Sequence, residues 1–472
     1  LRRLLLTGVL LAAPAAARDV STGPWRKDVD RILDRAGFAP ALWAVEVRSL
    51  SGNKLLYARN EARNVHPASS LKLVTTAAAL DALPPGERLR TTVESAGRRD
   101  GLGRVLGDVY LVGRGDPTLT AADLADMAAA VAASGVRRIE GRLVGHEGLF
   151  PGERRGERWT WDDLVWCYGA EVSALAVEDN CARVSVSAGE RAGDPAVVDR
   201  APATAHYAVA STVSTSAPGT APGLVLRRDA GSATVRLSGT YPLGQPPWQE
   251  RVAVPDPARY AATLLAEALQ ARGVAISGGV ATSVDPLPAG LRPLAVHEGP
   301  TVAELAVAVN KPSQNVYAET LLRLLGARRR GQGTPEAGHE AVAEFLRRMG
   351  VAAEGWEVQD GSGLSRGDLV TARGLVQLLA AMARHPQAAA FRESLPVAGV
   401  DGTLRNRLRG PATEGRVQAK TGTFLHANAL AGYLTTRRGE RLVFAVVANH
   451  HTVGGSAATG AIDDLVRFLA SK

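Results

Sequence analysis

The two ends of this chain read alike, and that restricts what it can fold into. Near the start, Ala41 to Arg48 (ALWAVEVR) has a strand pattern, Ser51-Gly52-Asn53 is a turn, and Lys54 to Ala58 is a second strand. Near the end, Arg416 to Thr423, Asn428 to Thr435 and Leu442 to Ala448 read as a three-strand meander that turns at Arg437 to Glu440. A helix over Gly460 to Leu469 closes the chain. Hairpins at both ends are expected to assemble one antiparallel sheet, with the middle of the chain looped out from it.

The middle supports that division. A helix begins near Ser69 and stops at Pro84-Pro85-Gly86. From about Glu87 to Pro293, short β-rich pieces (Val105 to Val112, Arg183 to Ser187, Thr234 to Leu237) alternate with Gly, Pro and Ser turns. Two helical stretches, Ala121 to Ser134 and Pro257 to Arg272, interrupt them. Helical pattern then returns over Thr301 to Ala308, Asn315 to Leu325, His339 to Met349 and Thr371 to Ala383. The expected organisation is one unit built from residues 18–83 and 296–472, with residues 84–295 inserted as one or more β-rich domains. No internal repeat with a period of about 20–50 residues is visible.

The first residues, LRRLLLTGVLLAAPAAARD, combine two arginines, a short apolar run from Leu4 to Ala13, and Ala15-Ala16-Ala17. That is a secretory signal pattern over residues 1–17, and the apolar run is too short to span a bilayer. The expectation is an exported protein in the periplasm or the extracytoplasmic cell-wall space, without a transmembrane anchor. The two cysteines, Cys167 and Cys181, fit a disulfide in that compartment; two buried thiols are the alternative.

Charge decides less about fold than about chemistry. Lys and Arg number 55 against 47 Asp and Glu, a formal net charge of +8. The arginines are spread along the chain with no basic block interleaved with aromatics, which argues against nucleic acid as a partner. A mildly basic surface suits an anionic polymer. Six lysines occur: Lys27, Lys54, Lys72, Lys311, Lys420 and Lys472. Every other cation among the 55 is arginine. A position that keeps lysine is a candidate for chemistry arginine cannot do, which is to lose a proton.

Three short clusters carry that chemistry. In HPASSLKLVTTAAALDAL, Ser69 and Lys72 stand three residues apart at a helix start, so the amine can reach the hydroxyl. A serine becomes a nucleophile when a base takes its proton, and a lysine serves once burial lowers its pKa from about 10.4 toward 7. The alternative is a capping serine followed by a solvated lysine. In Lys311-Pro312-Ser313-Gln314-Asn315, Ser313 can relay a proton and Asn315 offers donor and acceptor; the alternative is an ordinary N-cap. In Val417-Gln418-Ala419-Lys420-Thr421-Gly422-Thr423, alternation puts Lys420 and Gly422 on one face of a strand and Thr421 and Thr423 on the other. Gly422 leaves room for a ligand backbone, Lys420 supplies a cation, and the two hydroxyls can bind a carboxylate. The alternative is an edge strand with a protective lysine.

Ser-x-x-Lys, Ser-x-Asn and Lys-Thr-Gly in this order form the set found in β-lactamases and penicillin-binding proteins. The chain resembles the class C low-molecular-mass penicillin-binding proteins, the D-alanyl-D-alanine carboxypeptidase/endopeptidases. PASSLKLVTTAAAL, LVGRGDPTL, WDDLVWCYGAEVSAL, NKPSQNVYAETLLRLLG, DGSGLSR, LPVAGVDGTLRNRL and AKTGT carry the likeness over nearly the whole length. So does the long insertion after the first motif. The resemblance implies an α+β fold of several domains, a serine β-lactamase/DD-peptidase-like antiparallel sheet flanked by helices, with a β-rich inserted region.

It also implies roles. Ser69 attacks the carbonyl of the terminal D-Ala–D-Ala bond of peptidoglycan stem peptides, and Lys72 is the base for acylation. Ser313 and Asn315 relay the proton and hold the substrate. Lys420 balances charge, Thr421 and Thr423 bind the terminal carboxylate beside Gly422, and the Ser69 and Thr423 N–H groups form the oxyanion hole. β-Lactam antibiotics are expected as covalent inhibitors. No cofactor is implied. Alternatives are a non-hydrolytic wall-binding or β-lactam-sensing protein, and a β-lactamase or esterase on the same fold. No metal is expected either, because His450-His451 lacks a nearby carboxylate or thiol cluster. Asp360-Gly361-Ser362-Gly363 reads as a tight turn near the site, and Asp162-Asp163 as a solvated loop pair or a reader of a cationic stem-peptide side chain. The oligomeric state and side-chain specificity are not written in these motifs.

Overall fold

A computed structural model describes residues 21–229 and 231–472. The signal pattern at 1–17 lies outside the described residues. The terminal patterns meet as expected. Six antiparallel strands lie in the order Ser21–Thr22, Leu55–Arg59, Leu42–Ser49, Arg441–Asn449, Ala427–Thr435, Val417–Phe424. The join between the two ends of the chain runs from Leu42 opposite Asn449 to Ser49 opposite Leu442.

Helices cover both faces of this sheet, so its strands are apolar on both sides. Alternation along one strand sends Ala429, Ala431 and Tyr433 into one core and Leu430 and Leu434 into the other. On the second face pack the helices Arg26–Leu33 and Gly455–Ser471, through Val29, Leu33, Ile462, Leu465 and Leu469. The first face packs against the helix Ala372–Met382 and shares one core with Lys72–Ala82, Val302–Asn310, Asn315–Arg330 and Pro335–Arg348. Lys72–Ala82 is the central one, buried from Lys72 through Leu80. A helix apolar on every side belongs inside the core, which makes a lysine at its first position notable.

The chain leaves this body along the strand Arg88–Ser95 and returns along Arg292–Thr301, its antiparallel partner. Between them lies a five-stranded sheet in the order Val280–Ser283, Leu143–His146, Val109–Gly113, Arg88–Ser95, Arg292–Thr301. Val109–Gly113 and Leu143–His146 run parallel, joined by the crossover helix Ala121–Ala133. That helix and Pro257–Gln270 share a core with the sheet through Leu111, Leu124, Met127, Leu265 and Leu269. The β-rich texture therefore includes a layered α/β part, because short strands do not declare their direction. The stretch Val105 to Val112 is also not one piece. It breaks at Gly107, whose φ is 141°, into Arg104–Leu106 and Val109–Gly113, which belong to different sheets. Smaller sheets follow, one of them Val197–Ala201, Cys181–Ser187 and Trp248–Ala253. Cys167 and Cys181 are joined as a disulfide. Among the described residues no helix is long and apolar enough to cross a membrane.

Candidate active site

Ser69 lies in a single 3-10 turn, Ala68–Leu71, that feeds directly into Lys72–Ala82. Neither end of that segment has a side-chain cap, so the capping role open to Ser69 in the sequence is not used. Ser70 instead donates to Pro67 O at 2.6 Å. The turn is strained: Ala68 has φ of 46°, a region that non-glycine residues enter rarely and usually near functional groups.

Two neighbours hold it there. A Cβ on Gly363 would come within 2.0 Å of Ala68 O, and one on Gly422 within 2.5 Å of Pro67 O. The bare face of Gly422, expected to leave room for a ligand, is therefore taken by the protein's own serine turn. Gly422→Ala is expected to cost about 1–3 kcal/mol by overpacking, read as a fall in thermal unfolding midpoint. A midpoint equal to wild type would show that the turn gives way freely.

Lys72 is wholly buried. Its Nζ donates to Ser69 Oγ at 2.9 Å, to Asn315 Oδ1 at 2.6 Å and to Ser362 O at 2.6 Å. Burial pushes the amine down to about 8, while Asp360, Glu319 and Asp368 pull it upward. A neutral amine has two N–H donors and one lone pair. The two fixed acceptors, Asn315 Oδ1 and Ser362 O, match the donors and leave the lone pair facing Ser69. Asn315 is set by its other end, where Nδ2 donates to Tyr168 O at 2.8 Å. It is no cap either: the helix Asn315–Arg330 begins after Gln314 without a side-chain cap bond.

Ser313 has φ of 67°, a second strained non-glycine residue. Its Oγ accepts from Lys420 Nζ at 2.8 Å, and Lys420 also donates to Thr421 O at 2.9 Å. Lys420 sits on the edge strand Val417–Phe424 but is fully buried, so it is not a solvent-facing guard. Burial, with the Lys72 charge nearby, takes its amine well below the ordinary lysine range, and no carboxylate opposes the shift. Thr421 Oγ1 lies 2.8 Å from Thr403 Oγ1, while Thr423 is exposed. The turn before Ser313 is clasped from the other side: Lys311 pairs with Asp401, and Thr403 N donates to Lys311 O at 3.0 Å. The structure thus brings Ser69, Lys72 and Asn315 into one hydrogen-bonded group, links Ser313 to Lys420, and packs the 417–424 strand against the serine turn.

Several contributors do more than the sequence suggests. The Asp360 turn, expected as a tight turn near the site, is one: its buried carboxylate accepts from Trp159 Nε1, Ser362 Oγ and the backbone N–H groups of Ser362, Gly363, Leu364 and Ser365. That tight turn aims the Ser362 carbonyl at Lys72. The insertion is another. Tyr168 orients Asn315, and Asp179 accepts from Gln314 Nε2 at 3.3 Å, from Arg251 Nη1 at 2.6 Å and from the Tyr317 hydroxyl. Asp162-Asp163 is not a solvated pair. Asp162 is exposed, but Asp163 is buried and accepts from Thr160 Oγ1 at 2.6 Å and Tyr168 OH at 3.2 Å, so it shapes the loop. His451 is buried as well, with Nε2 2.9 Å from Asn428 Oδ1.

A half-buried serine on a strained turn, hydrogen-bonded to a buried lysine, with a second serine–lysine pair beside it, is acyl-transfer machinery, and comparison with known proteins agrees. The model of the D-Ala-D-Ala carboxypeptidase 3 (S13) family matches residues 25–472. The chain is 39% identical over 467 residues to a D-alanyl-D-alanine carboxypeptidase of Actinomadura sp., covering 95% of this chain and 86% of that one. Among solved structures, penicillin binding protein 4 of Haemophilus influenzae superposes with a TM-score of 0.84 at 25% identity, over 94% of this chain and 99% of that one. The same protein complexed with a β-lactam gives 0.79 at 24% identity, over 94% and 98%.

Proposed function

The chain belongs to the D-Ala-D-Ala carboxypeptidase 3 (S13) family, and from that premise we propose how its own residues do the work. The protein is a serine D-alanyl-D-alanine carboxypeptidase. In the proposed mechanism Ser69 is the nucleophile and Lys72 its base. The Lys72 lone pair takes the Ser69 proton as Oγ bonds to the carbonyl carbon of the terminal D-Ala–D-Ala peptide of a stem peptide. The backbone N–H groups of Ser69 and Thr423 receive the oxyanion, and such a donor is typically worth about 3 kcal/mol. Ser313 delivers a proton to the departing D-Ala nitrogen, the C–N bond breaks, and water later hydrolyses the ester on Ser69.

Thr421 and Thr423 hold the substrate's terminal carboxylate, which gives the Lys420 amine an anion to balance. The single observation that carries this reading is the Lys72 amine with both N–H acceptors fixed and its third direction on Ser69. A second route has its own support. Among the described residues no acidic group offsets the lowering of the Lys420 amine, so it too can accept a proton, through Ser313.

A β-lactam would acylate Ser69 and leave slowly. The proposed division keeps 18–83 and 296–472 as the catalytic unit and 84–295 as the insertion; the pairing of Arg88–Ser95 with Arg292–Thr301, where the chain leaves and returns, supports it. The signal pattern and the disulfide favour an exported, extracytoplasmic enzyme acting on peptidoglycan. Release of D-Ala from a stem pentapeptide tests the whole reading. Wild type should release it and Ser69→Ala should not; substrate binding without release by wild type would favour a wall-binding protein.

A further inference from the structure

Beneath Lys72 lies a group of carboxylates that the proposed reaction does not use. Glu319 is 2% exposed and projects from the helix Asn315–Arg330, one turn after Asn315. Its Oε1 accepts from Gly361 N at 2.9 Å. Gly361 is tied on its other side by Thr75 Oγ1, which donates to Gly361 O at 2.6 Å. The next residue is Ser362, whose carbonyl receives the Lys72 amine at 2.6 Å. Glu319 and Lys72 therefore hold adjacent residues of one turn, and a charge on Glu319 is felt at Lys72.

The charged groups facing this pair come from each packed element. Asp360 and Asp368 approach from the turn, and Arg323 lies one helical turn beyond Glu319. His339, on the helix Pro335–Arg348, faces Asp360 and Arg323 rather than the pair itself, and Lys420 faces Lys72 from the edge strand. Arg323 Nη2 donates to Glu153 O, and among the described residues no ion pair joins it to Glu319. Two buried carboxylates side by side resist ionising together.

We propose that Glu319 is a positioning residue that sits under Lys72 as an uncharged carboxylic acid at neutral pH. In that form it holds the Ser362 turn without holding the lysine's proton in place. The inference rests on Lys72 being the acylation base. Burial, reinforced by Asp360 and opposed by Ser362, the Arg323 charge and the Gly361 N–H, pushes the Glu319 carboxyl up to about 8, beside the Lys72 amine, itself held near the same value. Removing one proton from the pair then gives two forms. One has neutral lysine and neutral acid and can acylate; the other has ammonium and carboxylate and cannot. The titration belongs to the pair rather than to either group.

The test is the rate of acylation by a fluorescent penicillin across the neutral and alkaline range, for wild type, Glu319→Gln and Thr75→Val. Wild type should rise with pH in a limb broader than a single ionisation. Glu319→Gln keeps the acceptor for Gly361 N and abolishes the inactive form, so its limb should become a single step centred about one pH unit lower. Thr75→Val loosens the same turn without touching a charge; its rate should fall at every pH with the midpoint unmoved. A Glu319→Gln limb superposed on wild type, or moved to higher pH, overturns the inference. So does a midpoint moved equally by Thr75→Val. Should Glu319→Gln not fold, a sharp single step in wild type alone overturns it. Acylation retained by Lys72→Arg would instead strike the base assignment, so the two failures are told apart.

Discussion

Lys72→Arg is expected to lose acylation by about 10³-fold, inside the range that removal of a general base produces. A guanidinium stays protonated at any working pH and has no lone pair to offer. Its planar fork also cannot meet Ser69 Oγ, Asn315 Oδ1 and Ser362 O at once, as the tetrahedral amine does. Lys72 is fully buried, so the longer side chain will strain its surroundings by about 1–3 kcal/mol. Lys72→Met, which has no charge and no base, should be equally inactive and guards against that complication. Lys420→Arg is the contrast. Its proposed task is to carry charge toward the substrate carboxylate, and arginine keeps the charge, so acylation should fall by about 10–100-fold rather than vanish. The depressed Lys420 amine makes this comparison decisive. Equal collapse of Lys72→Arg and Lys420→Arg would move the proton route to the Lys420–Ser313 pair.

The largest expected effect on stability is at Asp360. Asp360→Ala should lower the unfolding free energy by about 3–5 kcal/mol, the scale for stranding several buried donors that one carboxyl group had satisfied. The carboxylate is fully buried and receives one indole, one hydroxyl and four backbone donors. An alanine offers none of them an acceptor. Chemical denaturation would read the change, and a loss under about 1 kcal/mol would mean the turn re-forms without its anchor. The same variant should slow acylation, because the Ser362 carbonyl that receives Lys72 belongs to that turn.

These two sites mark where the sequence was readable and where it was not. Ser69, Lys72, Ser313, Asn315 and Lys420 stood out because spacing and residue type carry their chemistry, and lysine is scarce in this chain. The sheet built from both termini was readable from strand alternation and two sets of turns. Asp360 was visible only as part of a tight turn, since sequence does not tell a buried carboxylate from a solvated one. Glu319 was not singled out, because nothing local separates it from a solvated charge on a helix. Tyr168 and Asp179 act on Asn315 and Gln314 across a separation of more than a hundred residues, which no local pattern encodes. Gly422 was noticed for the right absence of a side chain but for the wrong neighbour, because the approach of Pro67 depends on how the edge strand packs. Thr421 was read as a carboxylate-binding hydroxyl; its contact with Thr403, on the loop that also carries the partner of Lys311, was not readable.

The most direct measurement is to label the wild-type protein with a fluorescent penicillin, digest it, and identify the modified residue by mass. The account predicts one adduct, on Ser69, absent from Ser69→Ala and nearly absent from Lys72→Arg. An adduct on Ser313 or Ser362, or labelling that survives Ser69→Ala, would contradict it.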